Sequence, residues 1–150
     1  MVCSTALLLP AGCSDTVSVN APPLTGADAR GCRALLKALP DSIADQPRRK
    51  VADEGGYGAA WGDPPIVLRC GVPKPRGLDA FATCQVVNGV GWFIPEAQSQ
   101  GDPVDITMTT VGRRQNVEVS LPSDYFPPAN AMVDLASAVK RTIREDKPCL

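Results

Sequence analysis

The chain has 150 residues, 44% of them apolar and 5% aromatic, with 15 lysines and arginines against 16 aspartates and glutamates for a net charge of −1. That allows one hydrophobic core, is too apolar for disorder, and offers no clustered basic face for nucleic acid. Zero histidines exclude a Ser-His-Asp triad, a Cys-His pair and every histidine-ligated zinc site; any enzyme built here would run on carboxylates, lysine, serine, threonine, tyrosine or cysteine.

The first stretch reads Ala6-Leu7-Leu8-Leu9-Pro10-Ala11-Gly12-Cys13, followed by polar Ser14 and Asp15. It resembles the lipobox of bacterial lipoproteins, in which the cysteine is lipidated and becomes the first residue of the mature chain. The resemblance implies that residues 1–13 are a signal remnant, that Cys13 is the lipidation site, and that the plasma membrane is a partner, its extracytoplasmic face the location. No basic residue precedes the apolar run, and a start placed too far downstream would explain both that and the shortness of the run. The run is too short to span a bilayer, which needs about 20 apolar residues. Residues 14–24 read as a tether stiffened at Pro22-Pro23, leaving 25–150 as a single domain.

Thr25 and Asp28 have capping-box spacing, and Cys32, Leu35, Leu36 and Leu39 follow at i, i+3, i+4 and i+7, one apolar stripe of a helix that Pro40 ends. From Asp41 to Pro65 the chain is polar and glycine-rich and reads as a flexible connection. Within it Arg48-Arg49-Lys50 reads as a solvated loop. Gly55-Gly56-Tyr57-Gly58 lacks the lysine and the strand–helix context of a phosphate loop. The period then changes. Ile66 to Cys70 is a short buried strand between Pro64-Pro65 and Gly71. Ala82 to Val87 and Val90 to Ile94 flank Asn88-Gly89, the strongest short hairpin signal, because both turn positions need positive φ. Val104, Ile106 and Met108 alternate with polar residues, as do Val117, Val119 and Leu121, and the two runs meet across Gly112-Arg113-Arg114-Gln115 as a second hairpin. Met132, Leu135, Ala136, Val139 and Ile143 restore the helical spacing after Pro127-Pro128. The expected fold is α+β: a two-layer sandwich, with an antiparallel sheet of about five strands carrying an N-terminal and a C-terminal helix on one face.

With Cys3 and Cys13 assigned to the signal region, Cys32, Cys70, Cys84 and Cys149 remain. An even count in an exported small domain reads as two disulfides with three possible pairings, and the absence of CxxC weakens zinc-ribbon and thioredoxin-like readings alike. The favoured pairing is Cys70–Cys84, closing a loop of roughly 15 residues worth ~3 kcal/mol in the chain-entropy model, with Cys32–Cys149 tying the first helix to the C-terminus.

The block from Trp61 to Pro73 (Trp-Gly-Asp-Pro-Pro-Ile-Val-Leu-Arg-Cys-Gly-Val-Pro) resembles an actinobacterial family of envelope proteins, the domain of unknown function numbered three-five-one-five. Supporting stretches are Cys32 to Leu36 with Leu39-Pro40, Val87 to Trp92, and Thr109 to Arg113. The resemblance covers most of the chain from Pro22 onward. It implies a lipobox or membrane anchor and paired cysteines, and it transfers no activity.

Three sets of residues are candidates for chemistry. Ser137 and Lys140 have the SxxK spacing of a nucleophilic serine and its lysine base, without the SxN and KTG companions; the competing reading puts both on the polar side of a helix. Asp102 and Asp105 could pair for acid–base or calcium work, but Pro103 between them favours a loop and a strand-face position. Trp61, Asp63, Arg69 and Arg113 form the best candidate binding cluster, with Asp63 the nearest carboxylate to an Arg69 that interrupts an apolar strand; the alternative is a structural Arg–Asp pair under a Trp61 lid. The resulting expectation is an exported, lipid-anchored, non-catalytic binding or accessory module. Its partner would be an envelope protein or cell-wall ligand, with no nucleic acid, cofactor or metal. The alternatives are a small histidine-free envelope hydrolase or transferase, and a thiol–disulfide redox protein with one labile bridge.

Overall fold

A computed structural model describes residues 16–79 and 81–149. Residues 1–13, and with them the expected lipidation site Cys13, lie outside the described residues. In chain order the elements are β1 (Thr16–Val19), α1 (Gly26–Ala38), β2 (Ser42–Ile43), β3 (Gln46–Asp53), β4 (Gly58–Trp61), β5 (Ile66–Val72), β6 (Gln85–Val87), β7 (Val90–Phe93), a four-residue α2 (Glu96–Ser99), β8 (Ile106–Thr110), β9 (Asn116–Leu121), a 3-10 turn (Ser123–Tyr125) and α3 (Ala129–Thr142). The fold is mixed α+β, as expected. The sheet, however, has nine strands among the described residues rather than about five, in the open order β1-β3-β4-β5-β9-β8-β7-β6 with β2 beside β3.

The central strands follow from the alternation in their sequence. Along β5, Ile66, Leu68, Cys70 and Val72 are buried while Val67, Arg69 and Gly71 are half-exposed. In β9, Val117, Val119 and Leu121 alternate with Asn116, Glu118 and Ser120 in the same way. The two strands pair antiparallel, Leu68 opposite Val119 and Arg69 opposite Glu118, so their apolar residues share one face. Onto that face pack Cys32 and Leu35 of α1 and Met132, Leu135, Ala136 and Val139 of α3. Burial of each large aliphatic side chain there stabilises by ~1.5–3 kcal/mol. Both expected hairpins are present. Asn88 (φ 48°) and Gly89 (φ 79°) turn β6 into β7, and β8 pairs with β9 across residues 111–115.

The N-terminal third departs from expectation. Residues 16–19, read as tether, form the parallel edge strand β1 against Lys50–Asp53, with Val19 and Ala21 buried. The expected flexible connection is β2, β3 and β4. Its basic run is part of β3, where Arg48 and Arg49 pair with Trp61 and Ala60 of β4. The turn between β3 and β4 is built by Asp53, whose Oδ1 accepts from the N–H groups of Ala21 (3.2 Å) and Gly55 (3.1 Å) and whose Oδ2 accepts from Tyr57 (2.8 Å). Thr25 stands at the N-cap of α1 without a side-chain cap, and Asp28 does not reach back: its carboxylate accepts from Gln115 Nε2 (2.8 Å).

Among the described residues the disulfides are Cys32–Cys70 and Cys84–Cys149, which corrects the expected Cys70–Cys84 and Cys32–Cys149. Strand order gives the reason. β5, which ends beyond Cys70, and β6, which starts after Cys84, are four strands apart. At ~4.8 Å per strand that is ~19 Å, against a Cα separation of ~4.4–6.8 Å for a bridge. Cys32, on the buried side of α1, faces Cys70 on the helix-covered side of β5 with Cα atoms 5.7 Å apart. Such bridges fit an extracytoplasmic protein. Among the described residues, no helix is long and apolar enough to cross a membrane.

Candidate functional site

Three of the four residues of the expected binding cluster, Trp61, Arg69 and Arg113, have structural partners of their own. Trp61 lies at the end of β4 rather than in a loop; it is fully buried, and its Nε1–H donates to the Pro40 carbonyl at 3.1 Å. Arg48 stacks over its ring at 5.6 Å. Arg69 projects from the side of β5 away from the helices. Its partner is Glu118 directly across on β9, not Asp63: Nε and Nη2 both donate to Glu118 Oε1, and Nη1 reaches the Asn20 carbonyl at 3.5 Å. Asp63 is exposed in the β4–β5 turn. Nearby, the Tyr125 hydroxyl donates to the Pro64 carbonyl at 2.8 Å, and desolvation of that hydroxyl, the largest cause, raises its pKa above the usual tyrosine value.

Arg113 is different. It is 8% exposed and clamps three segments: Nη1 donates to the Ile143 carbonyl at the end of α3 (3.1 Å), Nη2 donates to the Gly89 carbonyl of the β6–β7 turn (2.9 Å), and Nη2 lies 3.4 Å from Glu145. After α3 the chain folds back over the β8–β9 turn. Asp146 and Lys147 donate their N–H groups to the Gly112 carbonyl (2.7 and 3.0 Å), and Arg114 donates to the Arg144 carbonyl (2.8 Å). Cys149 then bridges to Cys84, ahead of β6.

This C-terminal return, residues 144–149, forms one wall of a cleft of about 610 Å³. The loop from Lys74 to Cys84 forms the opposite wall and the β8–β9 turn the floor. Its cations are Lys74, Arg113, Arg114 and Lys147, its carboxylate is Asp79, and Leu78, Val111 and Pro148 supply apolar surface. Behind the wall, Asp146 lies 3.9 Å from Arg114 and 2.7 Å from Arg144, and Glu145 serves Arg113. Lys74 and Lys147 form no ion pair among the described residues. A second cavity of about 620 Å³ on the other side of the same loop mixes Arg76 with Asp79 and Glu96 and has Phe81, 93% exposed, at its rim.

The other candidates are brought together only in part. Ser137 and Lys140 line one shallow groove with Asn88 and Arg141. Lys140 Nζ donates to the Asn88 carbonyl (3.0 Å), while Ser137 Oγ accepts from Arg141 Nη1 (2.8 Å). The lysine is bonded to the hairpin, and among the described residues no hydrogen bond joins it to that serine. Asp102 and Asp105 are both exposed ahead of β8, and Asp105 accepts from the Ser123 N–H at 2.9 Å, fastening the 3-10 turn. Among the described residues no group of three or more acidic or cysteine side chains could hold a metal.

Of the cleft's cations the sequence singles out Arg113 but not Lys74, Arg114 or Lys147, while Cys84 and Cys149 of its lining stand out as disulfide cysteines. The signal is dispersed: basic residues at 74, 113–114 and 147 lie far apart in sequence and become neighbours through the Cys84–Cys149 bridge and the backbone bonds of residues 144–147 to the β8–β9 turn. No curated protein and no solved structure matches the chain. The family model described as "Protein of unknown function (DUF3515)" matches residues 2–148, nearly the whole chain, and the protein therefore belongs to that family.

Proposed function

We propose that the protein is an exported module, retained on the extracytoplasmic face of the plasma membrane by a lipid on Cys13, that binds an envelope component without transforming it. The observation that carries this reading is the Cys84–Cys149 bridge, which holds the C-terminal return against the Lys74–Cys84 loop and so shapes the basic cleft. A bridge of that kind persists in an oxidising compartment, and a cleft lined by cations and apolar side chains recognises ligands by charge and shape. The hydrolase or transferase alternative is not supported by the Ser137–Lys140 geometry, since the two side chains serve different partners.

The test is fractionation of cells producing the full precursor. The wild type should be recovered in the membrane fraction, with non-reducing peptide mapping linking Cys84 to Cys149. Cys13→Ala should release the protein to the soluble fraction. Unchanged membrane partitioning of that variant would remove the lipid anchor, and free thiols in envelope-derived protein would remove the disulfide framework that supports the export reading.

A further inference from the structure

We infer that the cleft between the Lys74–Cys84 loop and the C-terminal return is a binding site for a phosphate ester; the inference names a ligand class for the binding module proposed above and rests on that reading. Among the described residues, four cations line the space against a single carboxylate, in a chain whose net charge is −1. The positive charge is therefore a local concentration and not a property of the whole surface. Two of the cations already have work. Arg113 is pinned by two carbonyls and Glu145, so it contributes a fixed positive field and no free fork of donors. Arg114 has Asp146 at 3.9 Å, long for an ion pair.

Lys74 and Lys147 differ. Each lines the cleft from an opposite wall, and neither has a carboxylate partner among the described residues. Two lysines contributed by different segments of the lining, together with the guanidinium of Arg114, suit an anion that accepts from several directions. A phosphate ester presents its acceptor oxygens that way, whereas a carboxylate presents two in one plane. Leu78, Val111 and Pro148 beside these charges give the alkyl or polyol part of an ester a surface to rest on. The mixed cavity on the other side of the loop lacks this bias, because Glu96 and Asp79 oppose Arg76.

The experiment titrates the oxidised, lipid-free chain with sn-glycerol 3-phosphate, following backbone amide shifts by NMR, with acetate at equal concentration as the carboxylate control. Shifts are expected at residues 74, 112–114 and 147, saturating with the phosphate ester and absent with acetate. Lys74→Gln with Lys147→Gln should weaken binding by about tenfold or more, since two charge-assisted contacts are lost; both side chains are exposed, so the melting temperature should hold. Vesicles separate the two sources of such a group. Co-sedimentation with phosphatidylglycerol vesicles but not phosphatidylcholine vesicles, lost in the double variant, identifies a lipid headgroup. Binding of the soluble ester without vesicle binding identifies a free or polymer-borne phosphate. No cleft shifts at millimolar ester, equal shifts with acetate, or an undiminished affinity in the double variant would overturn the site. Those outcomes leave the Cys13→Ala fractionation result untouched, and failure of the fractionation leaves ester binding untouched, so the two readings fail separately.

Discussion

Asp53 accepts hydrogen bonds from three backbone N–H groups, those of Ala21, Gly55 and Tyr57. Two of these close the β3–β4 turn, and the third ties down the chain leaving β1. Removing the carboxylate leaves three partly buried donors without an acceptor, at about 1–3 kcal/mol for each that water cannot reach. Asp53→Ala is expected to lower stability by ~2–4 kcal/mol in urea denaturation and to raise amide exchange at residues 16–21 first; a loss below ~0.5 kcal/mol would show that water replaces the carboxylate. The need for such partners is legible in the sequence, while their identity often is not. Arg69 in an apolar strand announces that its guanidinium needs an acceptor. The acceptor is Glu118, 49 positions away, and only the β5–β9 register brings it opposite. Proximity along the chain points to Asp63, but Asp63 lies at the β4–β5 corner, whereas Arg69 is the fourth residue of β5 and faces Glu118 across the ladder.

At the level of elements, the strongest local signals gave the right answers: the Asn88-Gly89 turn, the alternation of β8 and β9, and the two apolar helix stripes. β3 and β4 were hidden because their residues do not alternate apolar with polar. Gln46–Asp53 contains one proline and three consecutive cations, and it belongs to the outer part of the sheet, where prolines and charges are tolerated. Gly58–Trp61 is buried on both sides, and Gly58 is required there: a Cβ would lie 2.3 Å from Val19 Cγ1. The C-terminal return depends in the same way on Gly112. Its φ is +68°, and a Cβ would fall 1.6 Å from the Lys147 carbonyl oxygen. Gly112→Ala should therefore displace residues 145–149 from the turn and destabilise by more than ~1 kcal/mol through strain and lost backbone bonds. Thermal denaturation together with amide exchange at 144–149 measures both effects. Native protection of the Asp146 and Lys147 amides in that variant would show that the turn accommodates the methyl group.

Across the whole molecule the two disulfides divide the work. Cys32–Cys70, spanning 38 positions, joins the first helix to the middle of the sheet inside the core; Cys84–Cys149, spanning 65, closes the far edge at the surface. The chain-entropy model assigns on the order of 4 kcal/mol to each, so their thermodynamic weights are similar while their structural reach is not. Replacing Cys32 and Cys70 together by Ala should lower stability by several kcal/mol and broaden side-chain signals throughout the core. Replacing Cys84 and Cys149 by Ser should leave core packing intact and loosen only the cleft walls. Comparison of methyl NMR spectra of the two double variants decides the matter, and equal core disruption in both would contradict the division. The cysteine count was enough to expect two bridges. Their partners were out of reach because sequence separation ranks loops by length, whereas strand order decides which cysteines can meet.

That strand order also sets a distance across the sheet. β1 occupies one margin of the sheet, and the cleft opens over the ends of strands running from β9 to β6 at the other. Four to seven strand spacings lie between them, ~19–34 Å at ~4.8 Å each. With the lipid on Cys13 as proposed, only Ser14 and Asp15 separate the acyl-bearing residue from the margin of the sheet. A domain standing upright on that margin would hold its basic mouth above the layer of counterions that clings to an anionic bilayer, whose field fades within ~8 Å in physiological salt. A ligand held up there would be met in the space outside the membrane, and lengthening the link after Cys13 by ten flexible residues should let the mouth dip back toward the lipid. Fluorescence energy transfer from a dye at position 147 to labelled headgroups would record that descent.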